Sequence, residues 1–205
     1  MKILVVTYEN RDLPYKQRFR DNHSAYCKIQ GYMYKSLDIC SHNVPPYWAK
    51  VFIVADYIHQ FDWVIWIDSD AEFATSDPFP LESNVDFVIS KDKPQHRIPA
   101  PINTGVFAIK NSPSGLDFME SWKTMYNPTR WTFQRNTWVC NGKWSGEDYE
   151  QGSCWTLIKR HVARVSVLPW YTLNNHAGSR HKGTVHHYCG SVGKRVLRQI
   201  STHNL

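Results

Sequence analysis

Residues 2–7, KILVVT, form an unbroken apolar, largely β-branched run, the pattern of a strand buried on both faces of a parallel sheet. A helical period follows from about Pro14 to Gly31, with Tyr15, Phe19, Tyr26 and Ile29 near one face, proline in the first turn and glycine at the end. Residues 32–37 read as a second strand ending at Asp38, and a loop with Pro45 and Pro46 leads into a second helix over about 47–60, where Tyr47, Val51, Val54, Ala55 and Ile58 recur at helical spacing. Trp63 to Ile67 is a third buried strand. This β-α-β-α-β order predicts an α/β protein with a doubly wound, mostly parallel sheet and helices on both faces, whose ligands gather at the carboxyl ends of the strands. Further strands are expected at 85–90, 102–109 and 164–168, with helices near 114–126 and 148–160. Residues 127–147 show no clear period but contain Trp131, Phe133, Trp138 and Trp144. An aperiodic stretch of that length in a compact domain points to function, and its tryptophans are a possible saccharide platform or a satellite cluster.

Composition narrows the class. The 205 residues are 42% hydrophobic and 20% charged, which suits one globular domain and excludes disordered, collagenous and coiled-coil chains. Charge is unevenly spread along the chain. From Gln151 onward there is no Asp or Glu but eight Lys and Arg, together with six of the ten histidines (His161, His176, His181, His186, His187, His203). The first 150 residues carry the other 16 basic groups against all 18 acids. An acid-rich body followed by a basic, histidine-rich end can supply metal ligands and anion ligands to one site; a solvated basic face or a nucleic-acid patch are the plainer readings. Five cysteines without a CxxC pair (Cys27, Cys40, Cys140, Cys154, Cys189) suggest reduced thiols in a reducing compartment. The longest apolar runs, Val51–Ile58 and Trp63–Ile67, fall far short of the roughly 20 residues of a membrane helix.

Strand three runs directly into Asp68-Ser69-Asp70. On an extended segment an i, i+2 spacing points both carboxylates to one side, and two hard oxygen ligands suit Mg²⁺ or Mn²⁺. Asp77, Asp86 and Asp92 stand in turn-like contexts and read as ordinary turn or surface carboxylates. His186 or His187 could add an imidazole, and Lys194 with Arg195 could neutralise a diphosphate. In Asn103-Thr104-Gly105 the glycine allows close backbone approach and the asparagine offers donor and acceptor, although a simple turn explains them equally. Asp148, Glu150 and Gln151 cluster at a helix start, where acids also complement the dipole.

Taken in order, KILVVT, YCKIQGY, Asp38, Trp48-Ala49-Lys50, WVIWIDSDAEF, NTGVFAIKNS, Glu150-Gln151 and HYCG resemble GT-A fold nucleotide-sugar glycosyltransferases. The resemblance is to the family of fungal galactosyl- and mannosyltransferases and plant xyloglucan xylosyltransferases, and more faintly to chlorella-virus-type glycosyltransferases. It implies a single domain over 1–205, with a nucleotide-binding half over about 1–100 and a half handling donor sugar and acceptor over 101–205. It further implies Mn²⁺ or Mg²⁺ on the diphosphate of a UDP-sugar, held by Asp68, Asp70 and His187, with Asp70 foremost. Thr7 and Tyr8 would meet uracil and ribose, Asp38 and Lys50 would line the nucleotide or sugar pocket, Asn103 would touch the donor sugar, and Lys194 would bind phosphate, one residue later than in the glycogenin-like pattern. Glu150 and Gln151 would lie beside the reacting carbon, with Glu150 as base or cation stabiliser and Asp148 second. The acceptor would be an oligosaccharide or glycoprotein, with no nucleic acid and no membrane span. Eukaryotic members usually carry an N-terminal membrane anchor, which this sequence lacks; a cytoplasmic enzyme, in host cytoplasm if viral, is the expectation. The related families are mostly retaining, and residue spacing carries no stereochemistry.

Two rivals make different demands. An aspartyl-phosphate phosphatase also places DxD after a buried strand, but wants Thr or Val where this chain has Glu72. A basic polyanion-binding module would use the acid-free end and the Trp-rich segment.

Overall fold

In the computed structural model, which describes residues 1–94 and 99–202, the apolar runs at 2–7 and 63–67 become strands and the run Val51–Ile58 falls in a helix and the 3-10 turn after it. Strand β1 (Ile3–Tyr8) leads to helix α1 (Lys16–Gln30), β2 (Met33–Leu37), α2 (Pro46–Tyr57), β3 (Trp63–Ile67) and the short β4 (Ala71–Phe73). Then come β5 (Phe87–Lys91), β6 (Ile102–Lys110), α3 (Pro113–Thr124), the pair β7 (Trp131–Gln134) and β8 (Thr137–Cys140), and α4 (Glu150–Lys159). Strand β9 (Val165–Leu168), a single helical turn α5 (Trp170–Leu173), β10 (Val185–His187) and α6 (Gly190–Thr202) complete the described chain. His203 lies outside the described residues.

The main sheet has the order β2-β1-β3-β6-β5-β9. It is parallel except for β6, which runs antiparallel to both β3 and β5. Alternation along the strands sends successive side chains to opposite faces. Leu4, Val6, Val64, Trp66, Phe107 and Ile109 pack with α2, α3 and α4 through Trp48, Val51, Phe118, Trp122 and Leu157. Ile3, Val5, Ile65, Ile67, Val106 and Ala108 pack the other way, with Tyr26 and Cys27 of α1, Phe73 and Val185. Each large apolar side chain so buried contributes roughly 1.5–3 kcal/mol, which is what holds helices of modest propensity against the sheet. Helix α1 ends where Gly31 adopts a left-handed φ of 69° and donates its N–H to Cys27 O. Pro46 opens α2 and Ser112 caps α3 by accepting from Gly115 N.

Four sequence expectations change. Asp68-Ser69-Asp70 is a turn between β3 and β4, not an extended segment, because Ala71 N closes back on Asp68 O at 3.1 Å. The aperiodic stretch contains the β7–β8 hairpin and a 3-10 turn over Pro128–Arg130. Asp86 is not a surface carboxylate: fully buried, it accepts from Ser112 Oγ and from the Arg164 guanidinium, whose hydrogen bonds hold its carboxyl down at about 2. Asp92 is a buried-network acceptor, taking a hydrogen bond from Asn174 Nδ2 at 2.8 Å. All five cysteines are free, and among the described residues no helix is long and apolar enough to cross a membrane.

Candidate functional site

Strand β3 is buried along its whole length, so the chain must turn at Asp68 to reach solvent. Asp68 N donates to Gly105 O at 2.8 Å, and His23 Nε2 meets Ala71 O at 2.7 Å from the α1 side, which together fix the turn. Strand β10 pairs antiparallel with β4, setting His187 opposite Ala71, and Tyr188 N donates to Asp70 O at 2.9 Å. The result is a three-residue cluster. His187 Nε2 lies 3.3 Å from Asp70 Oδ1 and 3.9 Å from Asp68 Oδ2. One ligand atom from each of Asp68, Asp70 and His187 falls within 4.8 Å of the others, and two carboxylates with one imidazole fit Mn²⁺ or Mg²⁺ by donor type. Gly105 is required here, since a Cβ on it would collide with His187 Cε1 and stand 2.8 Å from Nε2.

The three ligand side chains have different surroundings. Asp68 is tied down, accepting from Trp66 Nε1 at 2.6 Å and from Lys50 Nζ at 2.9–3.1 Å. Burial works against the charge of Asp70, but His187 and Lys50 outweigh it and hold its carboxyl below the ordinary value. Burial likewise disfavours the His187 imidazolium, while Cys189 and Asp70 overcome it and push its pKa up. Lys50 is itself buried, yet Asp68 and Glu150 keep it cationic, with its Nζ also donating to Thr104 O at 3.1 Å. His186 turns instead toward Glu72, 4.0 Å away.

Glu150 accepts from Thr104 Oγ1 at 3.0 Å and stands 3.9 Å from Lys50 Nζ. Burial raises its pKa, and its Oε2 is enclosed without a hydrogen-bond partner. Gln151 is half-buried beside it. Asp148 is committed to Arg130 by two hydrogen bonds of 3.1 Å, and its carbonyl accepts from both Trp48 and Trp131 Nε1. Thr7 is buried with an unpartnered Oγ1 and Tyr8 is half-buried at the end of β1. Asp38 is held exposed by Lys16 and Arg20, whose hydrogen bonds lower its pKa to about 2. Asn103 Oδ1 accepts from Gly105 N at 2.8 Å. Lys194 is exposed on the first turns of α6. Trp131 is buried, whereas Trp144 is 54% exposed and packs edge-on to Tyr47 and Tyr149.

Residues absent from the sequence reading complete the setting. Glu9, 5% exposed, accepts from Ser69 Oγ at 2.7 Å and pairs with Arg11. Burial opposes its charge, but Arg11 and Ser69 hold its carboxyl low. Burial, then Asp70, raises the Tyr15 phenol. Glu9 ends β1 as Asp68 ends β3, and that shared strand-end position is the signal that could have found it.

A sheet with one reversed strand, bearing paired carboxylates at the end of its third strand, is the decisive observation. The fold is that of a GT-A glycosyltransferase. It superposes on a glycosyltransferase involved in the glycosylation of the major capsid of PBCV-1 with a TM-score of 0.72, covering 98% of this chain and all of that one at 18% identity. A mutant Drosophila β1,4-galactosyltransferase 7, in complex with manganese, UDP-Gal and xylobiose, matches with a TM-score of 0.52 at 12% identity, over 93% of this chain and 72% of its own. The galactosyl transferase GMA12/MNN10 family matches over residues 3–85. "Probable glycosyltransferase 6" of Oryza sativa subsp. indica is 34% identical over 119 residues, 53% of this chain and 24% of its own length. Galactomannan galactosyltransferase 1 of Cyamopsis tetragonoloba is 31% identical over 123 residues, 53% of this chain and 27% of its own. The chain therefore spans about a quarter of the curated relatives it matches.

Proposed function

We propose that this GT-A chain transfers a hexosyl or related sugar from a UDP-sugar to a hydroxyl of a glycan acceptor, with Mn²⁺ or Mg²⁺ at Asp68, Asp70 and His187. The observation that carries the reading is the convergence of these three side chains at the carboxyl end of β3, where an open α/β sheet presents its ligands. Asp70 would be the foremost ligand, because Asp68 already serves Trp66 and Lys50. When bound, the cation supplies Lewis-acid stabilisation of the charge that develops on the diphosphate leaving group. Lys50 orients the Asp68 carboxylate, and Lys194 is proposed to reach the phosphates from α6. Thr7 and Tyr8, with Asp38, are proposed for the nucleoside, and Asn103 for the donor sugar.

The enclosed carboxylate of Glu150 favours one of its two expected roles. Without an accessible oxygen it is better suited to stabilising positive charge on the sugar than to taking a proton from the acceptor. Gln151 lies on the same edge, and Asp148 is proposed to brace the segment through Arg130 rather than act as a base. An acceptor saccharide is proposed to rest on exposed Trp144 and its neighbour Tyr47.

Incubation with UDP-sugars and Mn²⁺ tests the reading. Sugar transfer, or slow UDP release without acceptor, is expected, and Asp70→Ala should lower the rate on the order of a hundredfold or more. Nucleotide-independent phosphate release from monoesters would support the phosphatase instead. Steeply salt-dependent polyanion binding indifferent to Asp70→Ala would support the basic module.

A further inference from the structure

Behind the proposed metal cluster lies a chain of buried polar contacts with only one consistent hydrogen-bond direction. Asn174 follows α5, is 1% exposed, and its Nδ2 lies 2.8 Å from Asp92 Oδ1. A carboxylate only accepts, so this contact orients the amide with nitrogen toward Asp92 and oxygen toward His187. His187 Nδ1 lies 2.9 Å from that Oδ1, and Cys189 Sγ also approaches it, at 3.6 Å. Two donors therefore converge on an oxygen that cannot donate. The same Asp92 Oδ1 accepts from Lys93 N at 2.8 Å, which holds the far end of the relay in place.

We infer that Asn174, oriented by Asp92, is a positioning residue that keeps the proton of His187 on Nδ1 and so turns the lone pair of Nε2 toward Asp68 and Asp70. The inference rests on the metal reading for its purpose but not for its geometry. A neutral imidazole ligates through the nitrogen that carries no proton, and the partner of its other nitrogen decides which one that is. Gly105 and Tyr188 fix where the ring stands, while Asn174 fixes which nitrogen faces outward. Asn174 meets the cluster only at the far nitrogen of His187, and neither it nor Asp92 offers a ligand atom to the proposed ion.

Two measurements separate this inference from the metal reading. Long-range proton–nitrogen spectra of the metal-free protein, taken at a pH above the imidazole titration, report the tautomer directly. Wild type should show the Nδ1–H form, and Asn174→Leu, which removes the acceptor, should show the Nε2–H form. Mn²⁺ binding in the presence of UDP, followed by the loss of the free-ion paramagnetic resonance signal, should weaken about tenfold or more in Asn174→Leu. The double variant Asn174→Asp/Asp92→Ala restores an acceptor for Nδ1–H without setting two carboxylates together, and should bind Mn²⁺ within about threefold of wild type. Should Asn174→Leu fail to fold, Asp92→Ala at the half-buried end of the relay releases the amide, mixes the tautomers and weakens Mn²⁺ by about threefold. An Nε2–H tautomer in wild type, or unchanged tautomer and Mn²⁺ affinity in the folded variants, overturns the inference. Wild type that shows Nδ1–H but binds no Mn²⁺ leaves the relay standing and sinks the metal reading.

Discussion

Gly105 decides at a single Cα whether the imidazole can reach the carboxylates. Its replacement by alanine would put a Cβ 2.8 Å from His187 Nε2 and 2.9 Å from Asn103 Oδ1, forcing a side-chain displacement that costs roughly 1–3 kcal/mol. Gly105→Ala is therefore expected to keep its fold by circular dichroism, melt several degrees lower, and lose Mn²⁺-dependent UDP binding by about tenfold or more. His23 supports the same turn from the opposite side. Burial lowers its pKa to about 4, below the ordinary 6.5, so the unfolded chain takes up a proton that the folded chain refuses. Its contribution is complete above pH 6.5 and is lost as pH falls toward 4, amounting to about 3 kcal/mol. Denaturant midpoints at pH 7, 5.5 and 4.5 should fall more steeply for wild type than for His23→Gln, which can still donate to Ala71 O. Equal slopes would show that His23 does not carry this dependence. Asp68 and Asp70 stand out in the sequence because paired carboxylates at the end of a buried strand have a recognisable spacing, whereas His187 is separated from His186 only by the family resemblance. Asn174, Glu9 and His23 do not stand out, because an asparagine in Leu-Asn-Asn, an acid at a strand end and a lone helical histidine look the same whether or not they hold another residue in place.

At the level of elements, periodicity found what packing dictates. The helices and strands from residue 3 to 67 all form, each displaced by no more than a few residues; β1, β3, α1 and α2 do so through apolar faces that the core covers, and the half-exposed β2 through its ladder with β1. The β7–β8 hairpin escaped because its two-residue turn, Arg135-Asn136, takes positive φ values of 50° and 59° at residues other than glycine, so the usual Asn-Gly signal is missing. Strand β10 is hidden because three residues give too little pattern to read, whereas α6 does carry a helical period, Val192, Val196, Leu197 and Ile200, that its two glycines obscure at the start. Edge strand β9 depends on a contact rather than a pattern. Among the described residues its one strand partner in the sheet is β5, and the Asp86–Arg164 pair bridges the base of that pairing. Arg164→Ala removes the principal partner of a buried carboxylate and should lower the denaturant midpoint. Hydrogen exchange should locate the damage, with amides of Val165–Leu168 exchanging faster and those of central β3 little changed.

Across the whole molecule, charge that looked diffuse in the sequence is only partly gathered. The acid-rich first 150 residues supply Asp68 and Asp70, and the acid-free end brings His187 against them, while most of its Lys and Arg remain on the outside. Ligand binding should consequently tie the C-terminal segment to the sheet. With Mn²⁺ and UDP, amides from about 170 to 189 are expected to gain exchange protection while those of β1 and β3, already at the global limit, do not. Uniform protection throughout would contradict this coupling.

The pairing of β4 with β10 also bears on when in folding the proposed metal cluster comes together. It joins residues more than a hundred positions apart, and contacts of such long span pay their loop-closure entropy late in folding. During synthesis from the N-terminus, the two carboxylates leave the ribosome long before the imidazole that would sit between them. A growing chain can fold its first strands before Asp68, Asp70 and His187 are brought together, so capture of the proposed ion would mark the close of folding rather than its nucleus.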